Sequence, residues 1–167
     1  MSRLLHVTMV VASSADGKIS TRDGAGPRFT SPNDKALLRR LRTACDAAIL
    51  GAGTVANDNP AFRLPQIARD ARVRRGQHAT PIRVVLSARG SVSPDARLFH
   101  GHRSPAVVFV GSDCSPERRN ALAAVADVRV AYDVRDVVRV LEEEYAVRRL
   151  LLEGGEVFLH YRVTRSE

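Results

Sequence analysis

Long apolar runs are missing from this chain. Although 44% of its 167 residues are hydrophobic, no run approaches the roughly 20 residues needed to span a bilayer. Met1-Ser2-Arg3 leads into Leu4–Ala12, which contains His6 and Thr8 and is followed by no small-residue cleavage site. That segment reads as a buried strand rather than a signal peptide. Cysteine is scarce as well. Cys45 and Cys114 are too few and too separated for a disulfide framework or a zinc site. No metal is expected, and a reduced, cytoplasmic protein is the simplest reading, with Cys45 as core. Lysine is limited to Lys18 and Lys35, so arginine makes up nearly all of the 26 basic residues behind the net charge of +8. Such a surface suits phosphates on a cofactor, a substrate or a nucleic acid. It equally suits a composition that favours arginine codons, and the charge does not choose between them. Aromatic residues are only 5% of the chain. Without a stacking pattern or a helix-turn-helix, this speaks against a nucleic-acid-binding module. There is also no H-x-E…P-C-x-x-C zinc deaminase signature, so deamination of a base is excluded.

Repeats, low-complexity tracts and heptads are absent too, which leaves one domain over residues 1–167, long enough to bury a core. Strand-length apolar runs recur at Leu4–Ala12, Ala47–Leu50, Ile82–Leu86, Ala106–Val110, Val128–Ala131 and Leu150–Leu152. Their continuity indicates strands covered on both faces. Between them lie helical patterns with clear starts. Ser31-Pro32-Asn33-Asp34 offers a capping box ahead of Leu37, Leu38 and Leu41. Ser115-Pro116-Glu117 opens a second helix, and Asp133 caps a third carrying Val137, Val138, Leu141 and Tyr145. Alternating strands and helices predict a three-layer α/β/α sandwich with a mainly parallel sheet. The stretch from Pro65 to Pro81, with Arg69, Arg72, Arg74 and Arg75, shows no period. It reads as an exposed loop, either solvated or an arm for phosphate or nucleic acid.

Three segments could carry chemistry. Ser14-Ala15-Asp16-Gly17-Lys18 follows the first strand, where α/β proteins place ligand contacts. Asp16-Gly17 is also an ordinary turn, but Lys18 stands out in so lysine-poor a chain as a candidate proton donor. Gly51-Ala52-Gly53-Thr54-Val55-Ala56 fits G-x-G-x-x-G/A in letter only. Pro60 leaves room for one short helical turn, and no acid follows at the end of the next strand, so this is not a Rossmann site. Its glycines still let the backbone approach a phosphate, and Thr54 could cap a short helix facing an anion, with Asp58 nearby. Last, Leu150–Leu152 ends in Glu153-Gly154-Gly155. This is either a plain strand-to-helix turn or a carboxylate directed into a cleft.

In this order and spacing the segments resemble the pyrimidine reductase domain of riboflavin biosynthesis, the C-terminal half of the bifunctional deaminase-reductase. The resemblance rests on S-x-D-G-K-I, L-R-x-x-x-D-A (Leu41, Arg42, Asp46, Ala47), G-A-G-T-V-x-x-D-N-P, P-x-R-V-V-L (Pro81, Arg83–Leu86) and L-x-E-G-G. It implies a dihydrofolate-reductase-like fold that binds NADPH and reduces a phosphorylated ribosylamino-pyrimidine to its ribityl form. Gly53, Thr54, Asp58, Gly154 and Gly155 would bind the cofactor, and Ser87, with Arg89 nearby, would meet its 2′-phosphate. Ser14, Asp16, Lys18 and Glu153 would bind the substrate, with Lys18 and Glu153 as the catalytic pair. Reductases of this family usually continue past E-G-G to add the last strands and a homodimer contact. Here those C-terminal strands are expected to be missing. The alternatives are a reductase of the same fold acting on a folate or another small carbonyl compound, and a non-catalytic module.

Overall fold

The structure is a computed structural model that describes residues 5–11 and 31–154. Six strands, β1 (His6–Val10), β2 (Ala47–Gly51), β3 (Ile82–Leu86), β4 (Ala106–Val110), β5 (Asp127–Val130) and β6 (Arg149–Glu153), form one sheet. Their order is β1-β6-β2-β3-β4-β5, and every pairing is parallel. Alternate residues of β2 enter opposite cores: Ala48 and Leu50 on one face, Ala47 and Ile49 on the other. That is why the inner strands read as unbroken apolar runs.

The helices are α1 (Pro32–Ala44), α2 (Ala52–Asp58), α3 (Gln66–Arg74), α4 (Pro116–Ala123) and α5 (Val134–Glu143), with a short 3-10 turn at Arg97–Phe99. Leu38 and Leu41 of α1, Val55 of α2 and Leu122 of α4 join the first core. Val137, Val140 and Leu141 of α5 join the second, which makes the expected three layers. The predicted helix starts are all present. Ser31 and Asp34 complete a capping box, Ser115 accepts from the Arg118 amide, and Asp133 accepts from the Asp136 amide. After β5 the chain returns through α5 to place β6 between β1 and β2. The strand order changes direction there, and α/β sheets form their ligand crevices at the carboxyl ends of strands around such a point.

Two expectations need correction. Residues 66–74 are a helix, not a loop. Its only buried residue is Arg72, whose guanidinium donates to the carbonyls of Arg42, Thr43, Cys45 and His78. A hydrophobic period was absent because an arginine that caps the C-terminal end of α1 takes the inward position. And among the described residues β1 lies at the edge of the sheet. Val7 and Met9 lie beside Leu150 and Leu152 in register, yet they are 43% and 56% exposed among the described residues. Among the described residues the apolar run of β1 is therefore less fully covered than those of the inner strands.

Candidate active site

Two strand ends meet at the switch point. Glu153, the last residue of β6, is level with Leu50 of β2 and Val10 of β1. The chain then turns at Gly154 with φ +98°, in the left-handed region that suits glycine. A Cβ at Gly154 would lie 2.5 Å from Thr54 Oγ1, so the turn packs directly on α2. The two glycine-bearing segments are thus in contact, as the resemblance implies. Gly53 and Thr54 are half-buried in the first turn of α2. The helix begins earlier than expected: Gly51 is its N-cap, and Thr54 does not cap it. The chain leaves Gly51 in an extended conformation (φ −78°, ψ 153°) and turns helical at once. Asp58 follows Thr54 by four residues, on the same helix face, and is exposed. Asn59, at φ 39°, ends the helix ahead of Pro60.

Glu153 is buried, at 5% exposure, rather than directed into an open cleft. Arg42 of α1 clasps it with a fork: Nε donates to Oε1 at 2.7 Å and Nη2 to Oε2 at 2.5 Å. The ring of Phe62 lies 4.1 Å from the Arg42 guanidinium carbon. Phe62 is itself buried and holds φ at 51°, an uncommon conformation for a bulky residue. Arg42 and Phe62 were not among the predicted site residues. The only sequence signal was the arginine of L-R-x-x-x-D-A, whose partner lies 111 residues away. The aspartate of that motif anchors the other end of β6. Asp46 accepts from the Arg148 and Arg149 amides at 3.0 and 2.8 Å and from Gln77 at 2.8 Å. Burial alone would raise its carboxyl pKa. The hydrogen bonds from Arg148 and Arg149 and the Arg149 charge outweigh that and hold it below the ordinary value.

Ser87 closes β3 but turns inward. Its hydroxyl accepts from the Val92 amide and shares a hydrogen bond with Ser91, so it braces its own turn. Ser14, Asp16, Lys18 and Gly155 lie outside the described residues. A separate cavity of about 270 Å³ is lined in part by Arg63, Asp95, Arg97, His100 and His102, and by none of the predicted site residues. Burial and the charge of Arg83 lower the His102 pKa. Arg83, whose own pKa burial pushes down to about 10, donates to the carbonyls of Leu98 and Ser104. It has no carboxylate partner among the described residues.

Residues 5–161 match the family model described as the RibD C-terminal domain. The chain belongs to that family. It is 30% identical over 165 residues to a 2,5-diamino-6-ribosylamino-4(3H)-pyrimidinone 5′-phosphate reductase of Archaeoglobus fulgidus, covering 96% of this chain and 75% of that protein. A reductase of the same name from Methanothermobacter thermautotrophicus is 30% identical over 162 residues, covering 95% and 71%. A pyrimidine reductase-like protein from Corynebacterium diphtheriae shares the fold, with a TM-score of 0.78 at 22% identity over 90% of this chain and 66% of that one. The matched stretch takes in every predicted site residue, including those outside the described part.

Proposed function

We propose that the chain is an NADPH-dependent reductase that converts a phosphorylated ribosylamino-pyrimidine to its ribitylamino form. The archaeal relatives' names favour the 2,5-diamino compound as substrate, with deamination left to another protein. The observation that carries the reading is the contact between the Gly154 turn and Thr54 at the sheet's switch point. The Thr54 side chain packs on the bare backbone of Gly154, a closeness that only glycine allows, and this brings together two strand-end turns whose peptide N–H groups could meet a pyrophosphate.

In this reading Gly53, Thr54, Gly154 and Gly155 would hold the cofactor's pyrophosphate. Asp58 would accept hydrogen bonds one helical turn further on, and the turn that Ser87 braces would present the exposed Arg89 to the 2′-phosphate. Bound NADPH supplies a hydride. Lys18 would donate a proton to the ribose ring oxygen as the bond from that oxygen to the first sugar carbon opens. Hydride and proton together complete a two-electron reduction at that carbon. Ser14 and Asp16 would orient the substrate, and the fold's main service is alignment of donor and acceptor carbons. A cytoplasmic homodimer remains the working expectation from the resemblance.

The deciding experiment is titration with NADPH and NADH followed by nicotinamide fluorescence, then turnover of the diamino ribosylamino-pyrimidine phosphate against dihydrofolate. Saturable binding that favours NADPH, with turnover of the pyrimidine alone, is expected. Turnover of dihydrofolate alone would replace the substrate assignment, and absence of nicotinamide binding would end the reductase reading. Gly154→Ala places a Cβ 2.5 Å from Thr54 Oγ1 in a left-handed conformation and is expected to abolish binding.

A further inference from the structure

By resemblance Glu153 is a pyrimidine contact, yet both of its oxygens are already engaged by Arg42 and the residue is almost wholly buried. The contacts around it form a closed ring. Glu153 precedes Gly154, and Gly154 packs on Thr54. The helix that carries Thr54 leads through Asn59 and Pro60 to Phe62, and the ring of Phe62 faces the same arginine that clasps Glu153. We infer that Arg42 is a positioning residue for the cofactor site: through Glu153 and Phe62 it sets the separation of the Gly154 turn from Thr54.

The chemistry suits the task. A guanidinium donates two parallel hydrogen bonds to a carboxylate in its plane and leaves its face free for an aromatic ring. A lysine ammonium cannot do both. Phe62 holds its left-handed backbone only because its surroundings enforce it, and such conformations persist where a structure over-determines them. The pairing also matters for charge. An unpaired carboxylate next to the Gly154 turn would repel a pyrophosphate, and Arg42 neutralises it.

This inference rests on the reductase reading above, so its test measures two constants separately. Arg42→Lys, Glu153→Gln, the double variant and Phe62→Leu are titrated with NADPH well below their melting temperatures, and the pyrimidine KM is measured at saturating NADPH. Arg42→Lys and Glu153→Gln are each expected to weaken NADPH binding by about fivefold or more while the pyrimidine KM stays within about twofold. The double variant should bind no more weakly than the worse single one, since the two residues act as a unit. Phe62→Leu, which keeps the core filled, should weaken NADPH in the same direction by less. A raised pyrimidine KM with NADPH affinity intact would overturn the inference and return Glu153 to the substrate. Both constants intact with only a lowered melting temperature would make the ring purely structural. An unaltered protein that binds no NADPH would remove the reductase reading, and the positioning role with it.

Discussion

The two ends of β6 are each held by a carboxylate–arginine pair, in very different surroundings. At the amino end, Asp46 pairs with Arg149, whose side chain is 49% exposed, and takes two backbone amides besides. At the carboxyl end, Glu153 pairs with Arg42, and the two side chains are 7% and 13% exposed. The amino end fixes the strand through its main chain and uses the salt bridge as an accessory. The carboxyl end depends on the salt bridge itself, because both side chains are largely buried and no other described group shares the carboxylate. An ion pair's consequence is set by what remains when one partner goes.

The largest effect is expected from Arg42→Ala, which leaves the Glu153 charge buried and unpaired. It should cost about 3–5 kcal/mol of unfolding free energy, read from urea denaturation. A loss under about 1 kcal/mol would mean that Glu153 finds water, and the contrast between the two ends would collapse. Asp46→Asn should cost less, about 1.5–3 kcal/mol, as one charged acceptor is lost to several donors. Its pH dependence follows from the lowered carboxyl pKa. A carboxyl whose folded pKa lies below its unfolded one stabilises fully above the unfolded value and ceases to as pH falls through the folded value. The Asn variant should therefore lose stability less steeply than the unaltered protein below about pH 4. Identical acid limbs would deny Asp46 this role. The smallest effect belongs to Arg149→Ala, expected to stay below about 1 kcal/mol and to shrink further as salt is raised. A large, salt-independent loss would make the amino end resemble the carboxyl end after all.

Most of the scaffold was legible in the sequence because local rules and tertiary packing agreed. Ile82–Leu86 and Ala106–Val110 have the observed bounds, and the caps at Ser31, Ser115 and Asp133 act as their residue types suggest. Legibility failed where a long-range partner overrode the local signal. The inward residue of α3 is Arg72, which answers carbonyls some thirty residues earlier, so no apolar period marks the helix. β1 reads as a buried strand, but its place in the sheet is a property of the whole topology. At the candidate site, glycines announce backbone approach from sequence alone, whereas the clasp of Arg42 on Glu153 could not be seen, since neither residue lies near the other in the chain. Ser87 shows the converse. Its position at a strand end suggested a ligand contact, and its hydroxyl serves the turn that follows.

Cys45 lies at the α1–β2 junction next to Asp46, its carbonyl bound by Arg72 at 2.6 Å and its thiol pushed up to about 12 by burial. A thiol so shielded is inert to alkylating reagents until the α1–β2 junction opens. The rate at which it is labelled would then report the free energy of that local opening, independently of global unfolding. The chain thus carries its own gauge of how firmly the α1–β2 junction is held.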